Sequence, residues 1–238
     1  MVRFAVMGPF LRAHPDVKVH LRGPLKPFMG QFLGLFGITA SRIVTGPTCA
    51  GRIYIPEPPA CANRGPSMIH AALLRRELQE ALHVPRDGAP TGAPSTAWAL
   101  PLGKRHVLVM QRCCSRRVVN MPALMAALNG RLSGFRVVLM EPDTSLEEGM
   151  RLWHNARLVI GPHGGGMANV VVGRHPLTVI EFNVAQVGLA FQNLGIALGF
   201  AFESIMPENA TQDSQMNVPV ARVVEAAVRA LNRQGAML

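Results

Sequence analysis

Residues 158–169, LVIGPHGGGMAN, carry an apolar run into a proline, a histidine, three consecutive glycines and an asparagine. A run of this length reads as a buried strand, and ligands of a parallel sheet bind beyond the carboxyl ends of its strands. Gly164, Gly165 and Gly166 lack Cβ atoms, so their backbone is expected to approach a ligand closely and to take up positive φ. A helix expected from about Met167 would present unpaired N–H groups and a positive dipole end at the same point. That combination binds phosphate or pyrophosphate. The pattern is neither G-x-G-x-x-G nor a Walker loop, and a turn that only needs flexible backbone uses the same residues.

Other polar groups converge on this edge. QRCCSRRVVN (111–120) sets Arg112, Arg116 and Arg117 behind a second apolar run. There they are expected to face the same crevice and pair with phosphate oxygens; the alternative is a solvated loop. Glu181 closes LTVIEF (177–182), where a carboxylate can accept hydrogen bonds from ribose hydroxyls. His163 suits hydrogen bonding to phosphate or proton transfer, whereas His14, His20, His70, His106, His154 and His175 form no pattern. The aspartates are Asp16, Asp87, Asp143 and Asp213, and none forms the D-x-D with which a transferase holds a diphosphate through a divalent metal. Arginine and a helix N-terminus would have to neutralise the ligand, and no metal or other cofactor is expected.

The bulk composition is consistent with such a ligand. Of 24 basic residues against 14 acidic ones, net charge +10, only Lys18, Lys26 and Lys104 are lysine. Arginine's planar fork suits a phosphorylated ligand, although the codon usage of a GC-rich genome gives the same bias. The arginines are scattered and aromatics make up 5%, so nucleic acid is not an expected partner. Residues 187–202 come nearest to the roughly 20 apolar residues of a membrane helix, but Gln192, Asn193 and glycines interrupt them. The first residues lack the length and cleavage site of a signal peptide. Cys49, Cys61, Cys113 and Cys114 show no zinc spacing. Cys49 and Cys61 are either bridged or free, and Cys113 and Cys114 read as small apolar residues at a strand end.

These residues need a scaffold, and the second half of the chain spells one out. Apolar runs at 106–111, 135–140, 156–161, 177–182 and 201–206 read as strands. Between them, Met121, Leu124, Met125, Leu128 and Leu132 fall at helical spacing. Ser145 and Glu148 form a capping box ahead of Leu146, Met150 and Trp153. A short helix is expected around Phe191–Leu198 and a final one over 219–233, with Val220, Val223, Val224, Ala227, Val228 and Leu231 on one stripe. Continuous apolar strands separated by helices predict a parallel, Rossmann-like sheet covered on both faces, here residues 105–238. Residues 83–104, rich in Pro, Gly, Ala and Thr, read as a linker. Residues 1–82 form a less regular α/β segment, with strands expected at 17–23, 42–46 and 52–56 and helices at 26–37 and 67–82.

The arginine pair before Val118-Val119-Asn120, the run DTSLEEGMRLWHNARLVIGPHGGGMANVVV and the later VIEF together resemble glycosyltransferase family 61. That family includes enzymes adding N-acetylglucosamine to O-linked protein sites and plant xylan pentosyltransferases. Its pattern is an arginine pair, an sLeeQ helix, a strand ending in G-x-HGAGLxN and a strand ending in Glu. The similarity covers about 104–205, and more loosely FLRAHPDVKVHL, LGLFGITASRIV and RIYIPEP.

The resemblance implies a GT-B fold: two Rossmann-like domains, the C-terminal one (105–238) holding a nucleotide-sugar donor and the acceptor lying between them. The N-terminal, acceptor-side domain (1–82) is expected to be incomplete, because a His-containing segment found upstream in the family has no counterpart. The implied reaction is inverting and metal-independent, from a UDP-sugar to a glycan or glycoprotein hydroxyl. Arg116 matches the family's donor-contacting arginine, His163, Gly164, Gly165 and Gly166 its donor loop, Asn169 the closing asparagine and Glu181 the strand-end acid. Gly149 stands where the family has Gln, removing one donor contact, and Gly165 replaces Ala. No catalytic base is assigned.

Two other functions remain open: a nucleotide-sugar binder without turnover, and a nicotinamide-dependent oxidoreductase. Against the latter, the glycines follow the third strand of their domain rather than the first. The family's members work in the Golgi or endoplasmic reticulum lumen, and the sequon Asn209-Ala210-Thr211 agrees with that route.

Overall fold

Five parallel strands side by side position everything that follows. A computed structural model describes residues 2–55, 67–83, 99–184, 188–208 and 215–235. In chain order the elements are α1 (Val2–Ala13), β1 (Val19–Leu21), α2 (Pro27–Leu35), β2 (Ile43–Thr45), α3 (Met68–Ala81), β3 (His106–Met110), α4 (Met121–Arg131), β4 (Val137–Met140), α5 (Leu146–His154), β5 (Ala156–Pro162), β6 (Thr178–Phe182), α6 (Ala190–Ala197), β7 (Ala201–Ile205) and α7 (Val220–Arg233). The large sheet has the order β4-β3-β5-β6-β7, all parallel, and β1 pairs with β2 in a separate two-stranded sheet.

The central strands β3, β5 and β6 are buried at every residue, which is why their sequence shows no alternation. Their odd and even side chains enter two different cores. Val107, Val109, Leu158, Ile160 and Ile180 pack with α4 and α7, and the apolar stripe of α7 lies on that face as its periodicity predicts. Leu108, Met110, Val159 and Val179 share the other core with Met150 and Trp153 of α5 and with Leu74 and Leu78 of α3. Helix α3 also packs on α1, where Gly8 lets the buried Glu77 approach and pair with Arg12 at 2.7 Å. The first segment and the large sheet therefore share one continuous apolar core.

Several expectations are corrected. Arg52–Ile55 are exposed and form no strand, and Pro56 lies outside the described residues. The residues after the glycines form a 3-10 turn, Gly165–Val172, instead of an α-helix. Its Asn169, Val170, Val171 and Val172 are all buried, and a continuous buried run suits neither face of an exposed helix. The capping box is half made: Ser145 Oγ accepts from Glu148 N–H at 3.2 Å, but the Glu148 carboxylate turns to Arg151 at 2.7 Å. Of the expected linker, 84–98 lie outside the described residues, and Leu102–Lys104 form a 3-10 turn.

Arginines do much of the stitching. Arg105, buried, donates to the carbonyls of His175, Arg174 and Ala156. Arg42 donates to those of Leu11, His14 and Val17, joining the end of α1 to the start of β1. Arg157 reaches the Gln234 carbonyl at the end of α7, and burial pulls its pKa down. Such guanidinium groups satisfy carbonyls that helix and strand ends leave unpaired.

His106 opens β3 with its Nε2 at 3.0 Å from the Leu152 carbonyl, and burial pushes its pKa from 6.5 down to about 4. The folded protein keeps this ring neutral while the unfolded chain takes up the proton near pH 6.5. Stability from this residue is therefore fully present above pH 6.5 and is lost as pH falls towards 4. The expected loss across that window is about 3 kcal/mol. Urea midpoints of the protein and of His106→Gln, at neutral pH and near pH 4, should show a shallower decline in the variant. Equal declines would mean that burial does not hold the ring neutral.

Candidate functional site

The strand order makes the site before any side chain does. Connections leave β3 towards β4 on one side and return to β5 on the other, so the loops after β3 and β5 diverge and open a crevice between them. A cavity of about 300 Å³ lies there. Its walls come from the end of β3 (Arg112), the end of β4 (Glu141), the start of α5 (Ser145), the glycine turn after β5 (Gly164) and helix α2 (Phe28, Gln31). Helix α2 is tied to α5 where Gln31 Oε1 accepts from Leu146 N–H at 3.4 Å.

Four of the nine candidate residues line this cleft: Arg112, Gly164, Gly166 and Asn169. The glycines act through missing volume. None of the three in the turn has left-handed φ, and Gly164 is extended, at φ 162° and ψ 178°. A Cβ on Gly164 would coincide with the guanidinium of Arg112, and one on Gly166 would fall 2.6 Å from Met110 Cε. Gly161, inside β5, is equally constrained, because its Cβ would come 2.7 Å from Met110 Cβ. Gly165 differs: it is exposed, and among the described residues nothing lies within 4 Å of an added Cβ. The glycine turn thus lets a cation from the next strand lie directly on its backbone.

Arg112 is held in that position. Its Nε donates to the Ser115 carbonyl at 2.9 Å, and its own N–H donates to Gln111 Oε1 at 2.9 Å. Gln111 also spans the loop, accepting from Val118 N–H at 3.1 Å and donating to the Val118 carbonyl at 2.9 Å. This residue was not singled out from the sequence; a polar residue closing an apolar strand was the available signal.

Arg116 and Arg117 do not line the cavity, against expectation. Arg116 occupies the left-handed region at φ 59°, turning the loop. Arg117 is exposed, and its carbonyl accepts from Met216 N–H at 2.9 Å. Asn120 clamps Val218 through both side-chain atoms, at 2.8 and 3.1 Å. This half of the arginine–asparagine motif fastens the 111–120 loop to the 216–218 segment.

His163 and Glu181 meet beside the cleft. Parallel pairing sets Gly161 opposite Glu181, and two residues later His163 Nδ1 lies 2.9 Å from Glu181 Oε1. The glutamate is wholly buried, with no hydrogen-bond partner on Oε2 among the described residues, and the His163 ring packs on Phe191 at 5.0 Å. Glu181 is thus spent on orienting a histidine. The carboxylate that lines the cleft is Glu141, at the end of β4, which the sequence reading passed over. Gly149 lies on the cleft wall, where a Cβ would meet only Asn169 Nδ2 at 3.6 Å and Met140 Sδ at 3.7 Å, so a side chain there would narrow the cavity. Cys113 and Cys114 are exposed, not apolar fill at a strand end. Cys49 is free and exposed, and its candidate partner Cys61 lies outside the described residues, as does the 209–211 sequon.

Among the described residues, no three His, Cys, Asp or Glu side chains stand where they could hold a metal ion, and no helix is long and apolar enough to cross a membrane. A half-buried arginine on a glycine turn, at a strand-end crevice, is suited to binding a compact anion. Gly164→Ala tests this, since extended backbone accepts alanine while the new Cβ must expel the Arg112 guanidinium. The melting temperature should hold, and affinity for pyrophosphate should fall at least tenfold, about 1.4 kcal/mol. Unchanged calorimetric affinity would detach Arg112 from anion binding.

Comparison with known proteins identifies a family. Residues 15–180 match the model of the family described as Glycosyltransferase 61, a span that runs from just after α1 into β6 and contains every residue that lines the cleft. No curated protein matches the chain. Since the family match covers well over half of the sequence, the chain belongs to glycosyltransferase family 61, whose activity is the transfer of a sugar from a donor to an acceptor.

Proposed function

We propose that this protein transfers a sugar from a nucleoside diphosphate donor, a UDP-sugar first among them, to a hydroxyl of a glycan or protein, with inversion and without a metal. The carrying observation is the Arg112 guanidinium lying on Gly164 at the switch point of the sheet, inside a cavity of about 300 Å³. On this reading the diphosphate rests on the 164–166 turn. As the acceptor oxygen attacks the anomeric carbon, the bond to the diphosphate oxygen breaks and its electron pair goes to the leaving diphosphate. Arg112 and the first amides of the turn, which have no partner within it, neutralise that charge. Glu181, by accepting from Nδ1–H, orients His163 so that Nε2 can serve a phosphate oxygen when the ring is protonated. Glu141 accepts from the ribose hydroxyls. The segment bearing α2 supplies the acceptor side in a GT-B arrangement, and the work is done in the secretory pathway, as is typical of the family.

A second reading, donor binding without turnover, is favoured by Gly149, which leaves bare a wall that a side chain could furnish. Donor hydrolysis or transfer would exclude it.

Calorimetric titration with UDP, UDP-N-acetylglucosamine and UDP-xylose tests the main reading, and silence from all three on folded protein would end it. Because Gly165 has open space around it, Gly165→Ala should bind normally. Gly165→Asp adds a negative charge without a clash and should bind at least tenfold more weakly. Glu141→Ala should lose affinity for UDP while keeping that for pyrophosphate; equal loss on both would remove Glu141 from ribose recognition.

A further inference from the structure

The rim of the cleft carries a feature that sugar transfer does not use. Cys113 lines the cavity beside Arg112, and Cys114 follows it directly. Both are exposed, and the Cys114 thiol donates to Cys113 Sγ at 2.9 Å, inside ordinary van der Waals contact. We propose that Cys113 and Cys114 form a dithiol–disulfide switch on the cleft rim, closed by exchange with a low-molecular-weight disulfide and acting on Arg112.

The chemistry needs no other protein group. The Cys113 thiolate attacks one sulfur of the external disulfide, forms a mixed disulfide and releases one thiolate, which takes up the proton Cys113 gave up. The Cys114 thiolate then attacks Cys113 Sγ, closing the Cys113–Cys114 bond and expelling the second thiolate, which takes the remaining proton. Two protein thiols are oxidised and one disulfide is reduced to two thiols. Cys113, as the hydrogen-bond acceptor, is the first nucleophile; the bond it receives pushes the Cys114 thiol up.

Closure cannot leave the loop as it is. Neighbouring Cα atoms are about 3.8 Å apart across a trans peptide, whereas disulfides usually span roughly 4.4–6.8 Å. The ring is therefore strained, readily reduced again, and must be accommodated by the dihedrals of residues 112–115. Those residues hold Arg112: its Nε is anchored on the Ser115 carbonyl, and from that anchor its guanidinium lies against Gly164. Oxidation thus withdraws the cation from the glycine turn. The effect on ligand binding rests on the diphosphate reading above; ring formation and the movement of Arg112 do not.

The full chain is equilibrated with oxidised and reduced glutathione, and the tryptic peptide from Cys113 to Arg116 is weighed. The side-chain Nε–H resonance of Arg112, identified by its loss in Arg112→Lys, is followed in parallel. The expected result is a peptide lighter by two hydrogens with no glutathione attached, reversed by dithiothreitol, together with a shift of the Arg112 resonance and a pyrophosphate affinity at least tenfold lower. Cys114→Ser should instead retain a glutathione adduct on Cys113. A glutathione adduct persisting on the unaltered protein, failure of the pair to oxidise, or closure without movement of the Arg112 resonance would each overturn the proposal. Absence of pyrophosphate binding by the reduced protein would count against the diphosphate reading alone, with mass and resonance still deciding the switch.

Discussion

The site depends on close approach between the ends of two parallel strands. At Gly161, Gly164 and Gly166 a Cβ would occupy space already held by Met110 or Arg112. Removing those three Cβ atoms lets β3 and β5 pair normally while the side chains that end β3 lie across the backbone that ends β5. Met110 fills the apolar floor and Arg112 the polar rim. Every other part of the cleft is a consequence: the crevice comes from strand order, and its positive charge lies at the point where backbone amides also emerge.

Charge elsewhere follows a different rule. The net charge of +10 suggests an extended basic surface, yet Arg42, Arg105 and Arg157 are consumed on backbone carbonyls within the fold. The same fork geometry that suits phosphate suits paired carbonyls at element ends, so arginine content alone does not measure affinity for anions. What distinguishes Arg112 is its place, half-buried on the cleft wall with one nitrogen anchored and the rest of the guanidinium against a glycine. His163 and Glu181 form a second layer, in which a buried carboxylate fixes a ring beside the cleft.

The architecture also explains how residues far apart in sequence share work. Helix α2 comes from the first segment yet closes the cleft over α5, and α3 from the same segment continues the apolar core beneath the 3-10 turn. A cavity built from both segments suits a reaction with two substrates, since each wall can be furnished by a different part of the chain.

The sequence by itself determined the elements whose signals are local. Five apolar runs became five parallel strands, Ser145 capped α5, and the valine stripe of α7 found its core, because burial on both faces and helical periodicity are written in consecutive residues. It also pointed to Arg112 and the glycine turn, which the fold brings together on one cleft wall. Tertiary structure decided what depends on neighbours distant in sequence. It chose Arg112 over Arg116 and Arg117, replaced an expected helix by a 3-10 turn, buried Glu181 against His163 and left Glu141 in the cleft. The reason is that which side of a strand end faces the crevice depends on sheet order and on the volume the next strand leaves free, and neither is encoded within a window of a few residues.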